Sequence, residues 1–595
     1  MRYLLQFLIP ISLAATQLPP TMLSQAAEIA RTFAPLVAKR PPPSPVPKTD
    51  ALLQHTNNWL TIDLTRIAPA PTQLAALNQE ALWQQLADIG FDGVELIPLK
   101  STTSLSLDPR FGSFEDYRSL ATLVLAKGVQ LVGPLLGDTT GKGLDFALGL
   151  KNVGEYPQLY GLIEIAPEDW PLLPKQTPNV LSTNVPWLTL QTLHKKGYVP
   201  VDFDPYVKQS HWDATQAIAC EDHVVRRWIF RRNASGLPKL DWINASFGAE
   251  RLLVADALQS IYRLNQTVVQ LDGLAPQNAL VTMSLNVRKL GAFTALKTPR
   301  ELSAIAACPA DVCYDPFTPI AVLHALVAGS SDTLSQIYQR FLDEGIQLNR
   351  LVHALTQMSH VPCDLAALFA GGKGFLYEDE ADTDAALKQR LLKEDLSQLD
   401  APYTRGSSWS EKCEAVANRI GENSLSLQVL LIRFFAWQPG VFSLSLEDLL
   451  GASTNQGLLN PGGVNADVLY PSLPLQLKNS NSCASSLQEA LRLRRKLKVE
   501  SAELIEVVTA ENSEVLLLRY QLSPSGNTAL LALNVGKSQV SELIESPDYV
   551  GKAAIDASSG LALDKPVDSS LCRITLEKRS VRLIEFVPNP NVSTN

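Results

Sequence analysis

Sulfur is scarce in this chain of 595 residues, which has seven cysteines and four methionines. No two cysteines form a CxxC pair, and no Cys/His cluster has zinc-ligand spacing, so a metal site is not expected. Walker loops, a GxGxxG behind a strand, HExxH and GxSxG are equally missing, so none of the common cofactor or catalytic signatures applies and no cofactor is expected. Basic charge is in deficit, 51 Lys and Arg against 60 Asp and Glu, a net charge of -9. That excludes nucleic acid and anionic membrane as the main partner. No apolar run is long enough to cross a bilayer comfortably. Cys308 and Cys313 could close a short loop in an oxidising compartment, and two buried free thiols fit the sequence equally well.

What is present divides the chain. Met1-Arg2 precedes a short apolar run, Tyr3 to Ala15, that ends in small residues. Residues 1–25 therefore read as a signal peptide or short N-terminal anchor, which places the protein in a secreted, periplasmic or extracellular setting; a leader that stays in the cytosol is the alternative. Residues 26–56 read as a Pro-rich linker because RPPPSPVPK, from Arg40 to Lys48, suits neither helix nor central strand. From Asn57, strand-like runs (Asn58 to Leu64, Gly93 to Leu99, Val129 to Leu135) alternate with helical periods, which predicts a parallel sheet covered by helices. The alternation lapses over 141–238, a loop-rich insertion, and resumes over 239–484, with strand-like segments at Ala279 to Asn286, Val312 onward, Arg350 to Ser359 and Val441 to Leu444. Residues 485–595 begin with a helix and continue as alternating strands, a C-terminal β-sandwich.

One stretch organises the rest. Leu237 to Leu274 carries good N-cap residues (Asn244, Ser246), a helical apolar stripe (Val254, Leu258, Ile261), a β-branched run from Thr267, and then Asp272-Gly273. An acid at the C-terminal end of a parallel strand stands where barrel active sites lie. An aspartate that only opens a turn is the alternative. Two more segments flank it, DPRFGSFEDY at Asp108 to Tyr117 and a stretch from Pro439-Gly440 to Gly451. Together and in this order, the three resemble "DPxFGTxEDF", "PDLNWxNPxV…GVDGFRLDA" and "PGTPVxYYGDEIG" of the α-amylase superfamily, glycoside hydrolase family 13, over about residues 57–588. The resemblance is to trehalose synthase and oligo-α-glucosidase enzymes and to the noncatalytic heavy chains of heteromeric amino acid transporters. It implies a (β/α)8 TIM barrel over 57–140 and 239–484, an insertion after strand 3 and a C-terminal antiparallel β-domain, with an α-glucoside or oligosaccharide as ligand or a membrane transporter subunit as partner.

Enzymes of that family need a nucleophile and an acid/base, two carboxylates about 5 Å apart, and a third carboxylate on the sugar hydroxyls. The resemblance puts Asp272 at the nucleophile position. The arginine that precedes the nucleophile by two residues becomes Gln270, which can donate a hydrogen bond but carries no charge. The acid/base falls on Met283 or Ser284, and the "NHD" triplet becomes Met358-Ser359-His360. The third-strand "DLVxNHTS" becomes Gly133 through Thr140, with Gly137 and Asp138 replacing its asparagine and histidine. The expectation is a degenerate glycosidase scaffold in which Asp272 is vestigial, while Gln270, Ser284 and His360 could at most touch a bound sugar. Two alternatives remain open: a heavy-chain-like partner subunit, and an active glucosidase or glucosyltransferase using relocated carboxylates. Glu95, Asp138, Asp315 and Glu447 are the candidates for the latter, each with a plain loop or helix-start role as its alternative.

Overall fold

The computed structural model describes residues 20–39, 46–101, 104–137, 139–175, 180–199, 211–232, 236–241, 247–271, 277–297, 305–315, 317–354, 409–451, 458–460, 472–523, 525–563 and 569–588. Eight short strands, β1 (Asn58–Asp63), β2 (Gly93–Ile97), β3 (Gln130–Pro134), β4 (Gln266–Leu271), β5 (Phe293–Leu296), β6 (Val312–Tyr314), β7 (Leu351–Ala354) and β8 (Val441–Ser445), close in chain order into a parallel barrel. The ring shuts where Thr61 of β1 stands opposite Glu95 of β2 on one side and Ser445 of β8 on the other. Helices pack outside, as expected for strands buried on both faces.

The conspicuous sequence segments owe much of their form to local backbone demands. In DPRFGSFEDY, Ser113 and Asp116 form a capping box that starts the Phe114–Ala126 helix, and Asp108 accepts from the Arg110 guanidinium. Gly440 adopts φ +93°, and a Cβ there would meet the carbonyl oxygens of Leu348 and Leu351, so only glycine fits.

Four expectations need correction. Ala279 to Asn286 is not a strand but lies inside the Gln277–Leu290 helix, with Leu280, Met283, Val287 and Leu290 buried along one face. Their spacing of three and four is helical, and the apolar density of the segment masked it. The fifth strand is Phe293–Leu296 instead, launched by Gly291 at φ +90°. Second, the end of the supposed leader (1–25) and the supposed linker (26–56) form two helices, α1 (Met22–Val37) and α2 (Thr49–His55). In α1, Met22, Leu23 and Ala26 are buried, and Phe33 stacks on Tyr262 of the Phe247–Tyr262 helix. Leu52 and Leu53 of α2 join the apolar cluster of the barrel interior and stopper its N-terminal end. Third, the insertion is not mere loop: Ile163–Ile165, Val225–Arg231, Trp212–Thr215 and Ser182–Asn184 pair in that order as an antiparallel sheet over its own small core. Strands this short give no readable period. Fourth, the Cys483–Leu497 helix belongs to the barrel wall. Its Arg494 donates to the carbonyls of Ala436 and Gln438, and the β-domain begins only at Glu503. There a five-stranded antiparallel sheet faces the Val540–Glu545/Leu571–Leu576 ribbon across an apolar cluster.

Candidate functional site

Alternate residues of each barrel strand face the lumen. The lower layers are apolar, built from Trp59, Val132, Val268, Ala295, Val312, Val352 and Val441. Above them, toward the strands' C-terminal ends, the side chains become polar and form one connected chain. Thr61 donates to Glu95 Oε2 at 3.1 Å, and Lys297 Nζ donates to Glu95 Oε1 at 2.9 Å and to Gln270 Oε1 at 3.1 Å. Gln270 Nε2 in turn donates to the Tyr314 hydroxyl at 2.8 Å. Burial, then the nearby Glu95 carboxylate, pushes the Tyr314 phenol well above its ordinary range. The Glu95 side chain is 1% exposed and that of Lys297 is 23% exposed, so the ammonium is the end of the network that reaches upward.

Lys297 follows the last residue of β5, and its backbone N–H extends the ladder to Leu271 O at 2.8 Å. It therefore stands across from the end of β4, one residue before Asp272, at the strand end that follows the nucleophile position. Its ion pair spans the lumen from β5 to β2. A carboxylate this buried needs such a partner, because an unpaired one costs several kcal/mol.

The other described candidate carboxylates, Asp315 and Glu447, are not part of this chain of hydrogen bonds. Asp315 faces away from the lumen: it accepts from the N–H groups of Phe317 and Thr318, at the start of the Thr318–Ala328 helix, and meets His353 Nδ1 at 3.2 Å. His353 is itself buried, with Nε2 3.0 Å from the Pro439 carbonyl. Glu447 begins the Leu446–Leu450 helix after β8; burial first, then the charges of Asp448 and Asp63, pushes its carboxyl up to about 8. At neutral pH it is largely a neutral acid. A Cβ at Gly133 would meet the amide end of the Gln266 side chain, which would have to move aside to admit the aspartate of the resembled motif.

Of the residues singled out in the sequence, Gln270 lies in the lumen network, held by Lys297 and Tyr314. Ser284 is buried within the Gln277–Leu290 helix, not at a strand end. Asp272, His360 and Asp138 lie outside the described residues. Lys297, Tyr314 and Thr61 were not anticipated. Recognising Phe293–Leu296 as a strand would have exposed Lys297 as the charge at its end.

No protein-family model matches the sequence, and no curated protein matches it. Solved structures do resemble the fold. The α-amylase of H. orenii superposes with a TM-score of 0.58 at 12% identity, covering 90% of this chain and all of that one. An Anoxybacillus α-amylase gives 0.57 at 11%, over 91% of this chain and 99% of its own. The Geobacillus thermoleovorans α-amylase, solved with acarbose, gives 0.55 at 12%, over 90% and 99%. At such identities the likeness shows the fold: an α-amylase-like (β/α)8 barrel with a C-terminal β-domain.

Proposed function

On the premise of that fold, we propose that this protein is a non-hydrolysing α-amylase-like protein whose barrel mouth at most binds an α-glucoside. The observation that carries this reading is Lys297. A retaining glycosidase needs a carboxylic acid at the end of the strand after its nucleophile, to protonate the leaving oxygen and then activate water. An ammonium is a poor proton donor near neutral pH, and this one is engaged by Glu95 and Gln270. With Gln270 two residues before Asp272 and Lys297 at the end of the adjacent strand, the chain supplies neither the nucleophile's arginine partner nor an acid at the end of the following strand. The loss of the acid alone would lower the rate on the order of 10² to 10⁴.

The ligand class, an α-glucoside or oligosaccharide, is suggested by the likeness to α-amylases, and the kinship with trehalose synthase or transporter heavy chains by the sequence motifs alone. Export directed by the apolar run from Tyr3 to Ala15, ahead of the packed α1 helix, completes the proposal; N-terminal sequencing of protein recovered outside the cytosol tests that part. The decisive experiment is calorimetric titration with maltose, trehalose and maltotriose, paired with a prolonged glucose-release assay on the same samples. Binding without release supports the reading. Glucose release that disappears in Asp272→Asn overturns it in favour of relocated catalytic carboxylates.

A further inference from the structure

The Cys483–Leu497 helix lies along the barrel wall beside the Glu80–Ile89 helix, which connects β1 to β2. Helical period divides its residues between two faces. Leu487, Leu491 and Arg494 are buried, whereas Gln488, Arg492, Arg495 and Lys496 border a groove between the two helices. The Glu80–Ile89 helix stops at Gly90, whose φ is +123°, and a Cβ there would meet that of Leu491 at 3.1 Å. The chain therefore passes close to the second helix: Arg495 Nη2 faces the Gly90 carbonyl at 3.5 Å, and Gln488 Nε2 donates to the Asp88 carbonyl at 3.2 Å. The groove left beside this contact has a volume of about 500 Å³, with Ile89 in its lining, and that size suits a small molecule.

The charge around the groove is uneven. Arg492, Arg495 and Lys496 all line it, and none is held in an ion pair among the described residues. Of the two acids there, Glu489 is paired with Arg433 at 3.2 Å, which leaves Asp88. Three cations thus stand against one unpaired acid in a chain whose net charge is -9, a local reversal of sign. Cations in the last turn of a helix also suit its dipole, but Arg492 lies before that turn.

We propose that this groove binds a soluble anion carrying two or more phosphoryl groups. An arginine fork grips phosphate oxygens in pairs, and Arg492 and Arg495, three residues apart on one helix face, set two forks side by side. The Lys496 ammonium adds a third charge on a flexible stem.

The groove lies on the barrel's outer wall, so the proposal is tested apart from the sugar-site reading. The full-length protein is titrated calorimetrically with inorganic tripolyphosphate at low ionic strength. A saturable one-to-one isotherm is expected, weakened by added sodium chloride and unchanged by excess maltose. Arg492 and Lys496 are exposed, so their replacement spares the core. Arg492→Gln should weaken binding about tenfold at unchanged Tm, and Lys496→Gln should weaken it less. Asp88→Asn should tighten binding, a change that general damage to the fold does not produce. No saturable heat with the wild-type protein, or an affinity unmoved by all three substitutions, would overturn the proposal. Binding to phosphatidylglycerol vesicles without binding to tripolyphosphate would overturn it too, because the phosphoryl groups would then belong to a membrane surface.

Discussion

Lys297 and Glu95 define the site through what each would suffer alone. Lys297→Met leaves a carboxylate that is 1% exposed without its cation, and unfolding free energy should fall by about 3–5 kcal/mol in urea titrations. Adding Glu95→Leu should recover most of that loss, because an apolar pair avoids the desolvation both charges now suffer. If the double variant is no more stable than Lys297→Met, the pair is not the unit described. Glu447 makes a pH-dependent case. Its folded value, about 8, lies above that of a free glutamate, so its contribution is fully present in acid and lost as pH rises toward 8. Glu447→Gln should therefore match the wild-type protein near pH 4 and exceed it by about 2–5 kcal/mol near pH 8, measured as unfolding free energy across that range. At this scale the sequence was only partly legible. Gln270 could be placed by counting back from Asp272, whereas Lys297 could not, because its role depends on which segment forms the fifth strand.

Element boundaries failed wherever a short apolar segment satisfied two periods, or where too few residues existed to set one. Ala279 to Asn286 reads as a dense apolar run until Val287 and Leu290 are included. The Ile163–Ile165 and Ser182–Asn184 strands are three residues each, held by pairing that no local preference encodes. The barrel strands of five or six residues and the Phe114–Ala126 helix were legible because period, cap and turn agree. Two substitutions probe elements that were not. Leu52→Ala opens a cavity at the base of the barrel and should cost about 2–5 kcal/mol, which denaturant unfolding can measure. Gly440→Ala drives a methyl against two carbonyl oxygens that cannot both retreat, and its cost should exceed the roughly 1 kcal/mol of an ordinary positive-φ replacement.

Across the whole molecule, one apolar core runs from the barrel's outer helices into the C-terminal sheet, joining Leu431 and Leu491 to Leu516, Leu518 and Leu531. The Ser331 hydroxyl reinforces the junction by contacting the carbonyls of Ser513 and Val515 at 3.0 and 2.8 Å. Barrel and β-domain should therefore melt in a single calorimetric transition, and two resolved transitions would mean that the shared core does not couple them. The placement of α1 has a practical consequence for every assay above. Thr21 meets the Tyr156 hydroxyl at 3.0 Å, the Met22 N–H reaches Asp145 at 2.9 Å, and Gln25 accepts from Ser104 at 2.9 Å. Ser104 sits in the loop that leaves β2 at its C-terminal end, and Asp145 and Tyr156 in short helices that follow β3. The leading end of the folded chain thus emerges beside the barrel's opening, while α2 stoppers the opposite end. A purification tag or fluorophore fused ahead of Thr21 would stand beside that opening, so a titration with the proposed sugar on such material could report a blocked entrance as lack of affinity.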